Sequence, residues 1–456
     1  MSIPAAPDPI APSALAAVPW PRPGQSWYVV ALLVMAYAFG VVDRIILSLL
    51  VQPVKADLGL SDTEMGLVLG PAFALLYTLL GLPAGMLVDR WRRVPVVWAG
   101  LLLTSVATLG AGFAGAFWTL ALARLAAGAG QATTWPACTS LIADYFPAEQ
   151  RARAYGIFAM GGSIGIGIAY LLGGFAMDLA AGVQSALPQV LGGLREWQTV
   201  LLIVSAPGIL VALLMIATVR EPLRRGGDAK PQALLVSIGK FFAEVRINSK
   251  ALAAVMLGAI ANVMVINAQL SWLPTFFERT YGMPAATVPK ILALVGVPCG
   301  LLSAVTAGWV LSWLAKRGRD DGPILVIMLQ AFVWLTFGTL KCFMPTPELA
   351  FAMHVATSLF ATWALTATFT ALNQITPNRL RGQMVALYAL LTGFVAVSIG
   401  AVLVGLLSDY VFTGPRGIAP SLATACAAGG LLGMLVLWWG RRAFMTAVVR
   451  SRTWEN

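Results

Sequence analysis

Twelve times along this chain an apolar stretch runs long enough to cross a lipid bilayer, and that repetition limits the fold more than any other feature. The hydrocarbon core of a bilayer takes about 20 helical residues. The stretches lie near 27–50, 63–88, 95–113, 117–143, 150–178, 197–218, 251–278, 285–314, 322–343, 348–374, 381–411 and 418–440. In lipid every backbone N–H and C=O must be satisfied within its own element, so stretches of this length fold as helices. Charged residues make up 11% of the 456 and hydrophobic ones 59%, against roughly 25% and 45–50% in a soluble protein. No water-soluble core hides that much apolar side chain. The fold class expected is an all-α integral membrane protein of twelve transmembrane helices in two six-helix bundles.

The longest polar interruption sets the division. Residues 1–24, rich in Pro and Ala, read as a disordered cytoplasmic tail and not as a signal peptide, having neither a basic start nor an apolar core. An N-terminal bundle is expected over 25–220, a cytoplasmic linker over 221–250, a C-terminal bundle over 251–442 and a second cytoplasmic tail over 443–456. A faint repeat supports two halves: GMLVDRWRR at 85–93 and GWVLSWLAKRGR at 308–319 each follow the second crossing of their half. Two related halves are a recurring transporter design.

The net charge of +11 would point a soluble protein toward nucleic acid. Here it follows membrane topology. With the N-terminus inside, 22 of the 30 Lys and Arg fall in cytoplasmic segments and six, Lys55, Arg195, Arg279, Lys290, Lys341 and Arg416, fall in outer loops. Arg44 and Arg124 lie within crossings. The expected place is the cytoplasmic (inner) membrane with both termini cytoplasmic, and no nucleic-acid partner. The four cysteines, Cys138, Cys299, Cys342 and Cys426, lie apart in apolar stretches and read as packing residues. A single histidine, His354, excludes a multi-His metal site, and no GxxxxGK[ST] occurs. No metal, no cofactor and no ATP hydrolysis are expected; transport would draw on a gradient.

Charges inside a membrane are costly and usually functional. Asp43, Arg44 and Arg124 are the three that sit clearly within crossings. Two guanidiniums suit a carboxylate or phosphate through paired hydrogen bonds, and Asp43 is placed to exchange a proton. The alternative is a structural salt bridge between the first and fourth helices. Arg124, Gly128, Gln131 and Trp135 fall on one helical face, where Gln131 can hydrogen-bond a substrate and Trp135 can stack on it. Tyr37 shares a face with Arg44, and Asn262 and Gln269 share one on the seventh helix. These residues, Arg44, Arg124, Gln131, Trp135, Tyr37, Asn262 and Gln269, form the expected substrate site, with Asp43 as the proton-coupling group. His354 reads as an interfacial histidine, and Gly161, Gly165, Ala169 and Gly173 as a ridge for close helix contact.

GMLVDRWRR, placed between the second and third crossings of twelve, resembles the loop signature of the major facilitator superfamily. Gly85, Leu87, Asp89, Arg90 and Arg93 match it, while Arg92 replaces its glycine. The resemblance implies a cytoplasmic conformational gate at Gly85, Asp89, Arg90 and Arg93. Further matches are Arg124, Gly128, Gly130 and Ala132 in the fourth helix and DYFPAEQRARA at 144–154. Within the superfamily the chain resembles the spinster-like group through the Asp-Arg pair, LGLSDTEMGL at 58–67 and FALLYTLLGLP at 73–83. In that group the pair works with an Arg and a Glu of the fourth helix. Asp43, Arg44 and Arg124 match, and Gln131 stands at the glutamate position. The same first helix also resembles the organic anion:cation symporters. The function implied is proton-coupled secondary transport of an organic or amphipathic anion by alternating access, by a monomer embedded in the lipid bilayer. Rival readings are a sensor on the same fold and a polytopic membrane transferase. The transferase reading lacks a catalytic His or acidic cluster.

Overall fold

The computed structural model describes residues 19–186, 193–225, 245–377 and 380–451. Residues 1–18 of the expected first tail, 226–244 of the linker and 452–456 of the second tail lie outside the described residues. So do Lys230, Lys240, Arg379 and Arg452, which counted toward orientation.

Among the described residues twelve long helical elements follow in order, with a short helix, Val51–Leu58, between the first two: α1 (Pro23–Leu49), α2 (Asp62–Arg90), α3 (Arg93–Ala111), α4 (Phe117–Gln131 with Thr134–Tyr145), α5 (Ala148–Ala180), α6 (Glu196–Thr218), α7 (Ser249–Tyr281), α8 (Thr287–Lys316), α9 (Gly322–Phe343), α10 (Pro347–Ile375), α11 (Arg381–Val411) and α12 (Ile418–Ser451). No strand occurs among the described residues. Eleven of these helices are long and apolar enough to cross a membrane. The exception, α4, is broken by a turn at 132–133 into pieces of 15 and 12 residues. Pro136 explains the break: its ring clashes with the carbonyl four residues earlier, at Ala132, and it offers that carbonyl no N–H. The chain is a multi-pass, all-helical membrane protein.

Two compact units form. The first takes in the described residues of Met1–Gly59, Ala72–Lys230 and Ala285–Ala293; the second takes in those of Leu60–Pro71, Pro231–Pro284 and Leu294–Asn456. The first unit's core gathers Leu33, Ala36, Val97, Leu141, Phe146 and Phe158. The second unit's core gathers Val255, Ile327, Ala367, Leu437 and Phe444. Large apolar side chains such as Leu122, Leu294, Val305, Trp309 and Trp438 are exposed, the reverse of a soluble surface and the surface a bilayer solvates. The glycine ridge of α5 lies on α1. A Cβ at Gly165 would come within 2.8 Å of the Ala38 carbonyl oxygen, so only a residue without one lets the two backbones meet.

Helix ends are fixed by local chemistry. Ser61 and Glu64 form a capping box at the start of α2. Asp409 of α11 adds to it, accepting from the Asp62 and Thr63 N–H groups at 3.2 and 2.7 Å. Asp62 in turn holds Arg279 through two hydrogen bonds of 2.6 Å and accepts from Ser408 Oγ at 2.7 Å. Arg279, expected in an outer loop, therefore closes the last turn of α7. Lys341 is a larger correction. Expected in an outer loop, it is fully buried at the end of α9. A basic residue beside a span reads as loop by charge counting, because a packing partner on another helix leaves no trace in sequence.

Candidate functional site

In the first unit α1, α2, α3 and α4 bring the intramembrane charges together. Gly128 of α4 allows the approach: a Cβ there would come within 3.3 Å of the Tyr77 backbone nitrogen on α2. The guanidiniums of Arg44 and Arg124 both lie over the ring of Phe73, at 5.2 and 5.3 Å from its centroid. A ring face is electronegative, so one aromatic side chain eases the repulsion between two cations. Their surroundings then diverge. Arg124 is buried and donates Nη1 to the Asp43 carbonyl at 2.8 Å and Nη2 to the Arg44 carbonyl at 3.0 Å. Arg44 is half-buried. Asp43 is buried and accepts from Ser105 Oγ of α3 at 2.9 Å. The tie between first and fourth helices is thus guanidinium to backbone carbonyl, through the peptide groups of the Asp-Arg pair.

Gln131 is buried against α1. A Cβ at Gly40 would come within 2.8 Å of its Nε2, and its Oε1 is a buried acceptor with no hydrogen bond among the described residues. Trp135 stands beyond the break in α4, so the single face expected through Arg124, Gln131 and Trp135 is interrupted. Trp135 instead joins Tyr37 of α1 and Phe158 of α5, with ring centroids 5.5, 5.2 and 5.3 Å apart.

The seventh-helix pair lies in the second unit. Asn262 donates Nδ2 to the Gly258 carbonyl at 2.9 Å and leaves Oδ1 buried with no hydrogen bond among the described residues. Gln269 is engaged at both ends: Oε1 accepts from Lys341 Nζ at 2.5 Å, and Nε2 donates to Cys426 Sγ of α12 at 2.8 Å. Among the described residues no group of three or more His, Cys, Asp or Glu could hold a metal ion.

Of the four expected gate residues, Arg93 is the buried centre of a network. It pairs with Asp144 of α4 and with Glu221 at 3.0 Å. Glu221 also accepts from the N–H groups of Arg93 and Val94 at 2.9 and 2.8 Å, which caps the positive end of α3. Arg224 does the converse at the end of α2, donating to the carbonyls of Val88, Asp89 and Trp91. Asp89 and Arg90 are exposed, and Gly85 has no neighbour within 4 Å of its would-be Cβ. Glu221 and Arg224 are partners that sequence spacing does not reveal, lying more than 120 residues from the loop they cap. In the second unit, Asp321 between α8 and α9 accepts from Arg319 at 3.0 Å and from Arg441 at 2.8 Å. Burial acts to raise its pKa, but the hydrogen bonds from Arg319 and Arg441 outweigh it and hold the carboxyl below the ordinary value.

Residues 30–337 match the family model of the Major Facilitator Superfamily. An MFS-type efflux pump of Mycolicibacterium smegmatis is 26% identical over 425 residues, 91% of this chain and 92% of the pump. A D-galactonate transporter of Escherichia coli O6:H1 is 25% identical over 446 residues, 91% of this chain and 96% of its own. Among solved structures, a bacterial homologue of the human lysosomal transporter Spinster, in an inward-facing and unoccupied conformation, is 25% identical. It superposes with a TM-score of 0.75 over 95% of this chain and 98% of that one. With twelve helices, the loop at 85–93 and a family match over two thirds of its length, the chain belongs to the major facilitator superfamily and resembles its spinster-like members.

Proposed function

We propose that this protein is a proton-coupled secondary transporter that moves an organic anion with an apolar portion across the cytoplasmic membrane by alternating access. The observation that carries the reading is the pair of guanidiniums over Phe73, beside a buried carboxylate in the C-terminal third of α1. Half-buried Arg44 docks the anionic head through paired hydrogen bonds. Arg124 keeps α1 against α4 and lends its charge. Asp43 takes up and releases the proton, because its carboxylate is held by a neutral hydroxyl and not by a permanent ion pair. Tyr37, Trp135 and Gln131 shape the pocket around the apolar part. Gly85, Asp89, Arg90 and Arg93 serve as the conformational gate on the cytoplasmic side, where both termini lie. The protein works as a monomer in the bilayer.

Similarity to a D-galactonate transporter supports an organic acid, and the resemblance of the first two helices to the spinster-like group implies an amphipathic cargo. Thermal stabilisation of the purified protein by D-galactonate and by long-chain anionic amphiphiles separates the two. Stabilisation by either class, lost in Arg44→Ala, supports anion docking at this pair. Equal stabilisation of wild type and Arg44→Ala by every ligand contradicts it.

A further inference from the structure

Asp321 stands at the N-cap of α9, where a carboxylate ordinarily accepts from the first free N–H groups of its helix. Its side chain makes no such bond. It holds two arginines from outside α9 instead. Oδ1 accepts from Arg319 Nε at 3.0 Å, and Oδ2 accepts from Nε and Nη2 of Arg441 on α12 at 2.8 and 2.5 Å. Gly318 makes this reach possible: its φ of +70° ends α8 and returns the Arg319 N–H to the Leu314 carbonyl at 3.1 Å. One carboxylate thus brings two guanidiniums together, and neither is exhausted. Among the described residues both Nη groups of Arg319 and Nη1 of Arg441 make no further hydrogen bond, and 49% and 35% of the two side chains are exposed. Lys316, Arg317 and Arg442 are exposed beside them, so five basic residues stand against two acids, Asp320 and Asp321.

Exposed indoles lie within one or two turns on the apolar side of these charges. Trp438 precedes Arg441 by three residues on α12 and is 68% exposed. On α8, Trp309 is exposed, and Trp313 carries the Arg317 guanidinium over its ring at 3.9 Å from the centroid. Indoles that rim an apolar span, with basic residues directly beyond, mark the level of lipid headgroups. We propose that Arg319 and Arg441 form a docking position for the phosphate of an anionic phospholipid at this end of the second unit. Guanidiniums steadied by a shared carboxylate offer their free Nη donors to one phosphate through charge-assisted hydrogen bonds, and Trp438 covers the adjoining glycerol region. The surplus of basic charge favours a headgroup that brings no cation of its own. This position rests on the membrane character of the chain and not on the site around Arg44 and Arg124.

The test is the thermal midpoint of the purified full chain in an uncharged detergent with added phosphatidylglycerol, phosphatidylcholine or inorganic phosphate. The proteins compared are wild type, Arg319→Gln, Arg441→Gln and Arg92→Gln, the last removing an exposed charge from the first unit. Phosphatidylglycerol should raise the wild-type midpoint by about 3 °C over phosphatidylcholine. The rise should fall to less than half in Arg319→Gln and Arg441→Gln and stay whole in Arg92→Gln. Inorganic phosphate at the same concentration should give no rise. Each comparison is made between lipids within one variant, so any stability lost by leaving Asp321 a single partner does not enter it. If Arg441→Gln fails to fold, Arg319→Gln decides alone. No lipid preference in wild type, a full rise in Arg319→Gln, or an equal loss in Arg92→Gln overturns the proposal. A rise with inorganic phosphate equal to that with phosphatidylglycerol marks a site for a free anion and overturns it as well. Arg44→Ala should keep the lipid response, so failure of the first-unit reading does not affect the outcome.

Discussion

Arg44 and Arg124 sit 5.2 and 5.3 Å from the centroid of one aromatic ring, and Arg124 donates two hydrogen bonds to the backbone of a neighbouring helix. Burial separates a positioning residue from a docking one, since Arg124 is buried and Arg44 only half-buried. Arg124→Ala removes two charge-assisted bonds and should cost about 1–3 kcal/mol of stability as well as ligand binding, read together by a thermal shift with and without ligand. Arg44→Ala should cost less ligand-free stability than Arg124→Ala and weaken anion binding roughly 100-fold, read by titration. Equal losses of ligand-free stability in both variants would remove the distinction. The three charged residues were legible in sequence because a charge within an apolar span is conspicuous. Phe73 and Ser105 were not, since an aromatic or a hydroxyl in a span is ordinary and only the fold shows what it faces.

At the scale of elements, helix ends depend on residues far away in sequence. Arg93 is buried between Asp144 and Glu221, so Asp144→Ala leaves a buried cation with one partner fewer. It should destabilise the first unit by roughly 3 kcal/mol, measured by thermal or denaturant unfolding of the purified protein. An unchanged midpoint would show that Glu221 alone suffices. In the second unit, the pKa of Asp321 is depressed below its ordinary 3.8 in the folded state. The stability it contributes is therefore present above that value and is lost as pH falls through the lower, folded value. Wild type should unfold at higher temperature than Asp321→Asn near neutral pH, and the gap should close below about pH 4. A gap that widens in acid would contradict the assignment. Apolar length located every crossing, because lipid leaves a span little choice but helix, but α12, expected to end at 440 before a tail from 443, continues as helix to Ser451. The turn in α4 follows from Pro136, a local signal readable beforehand. Lys341 lies within the apolar stretch at 322–343, but its partner Gln269 on another helix had no signal in the sequence.

At the scale of the whole molecule, membership of the major facilitator superfamily establishes the class, and Asp43 beside the arginine pair gives the proposed direction of energy use. A sensor on the same fold would bind an anion without moving it, and a transferase would change it chemically. Uptake of a stabilising organic anion into sealed vesicles containing the purified protein, under an imposed proton gradient, distinguishes all three. Wild type should accumulate the unmodified anion against its gradient. Asp43→Asn should keep exchange of anion for anion while losing gradient-driven accumulation. Binding without flux in wild type, or full proton-driven accumulation by Asp43→Asn, would contradict transport coupled through the first helix.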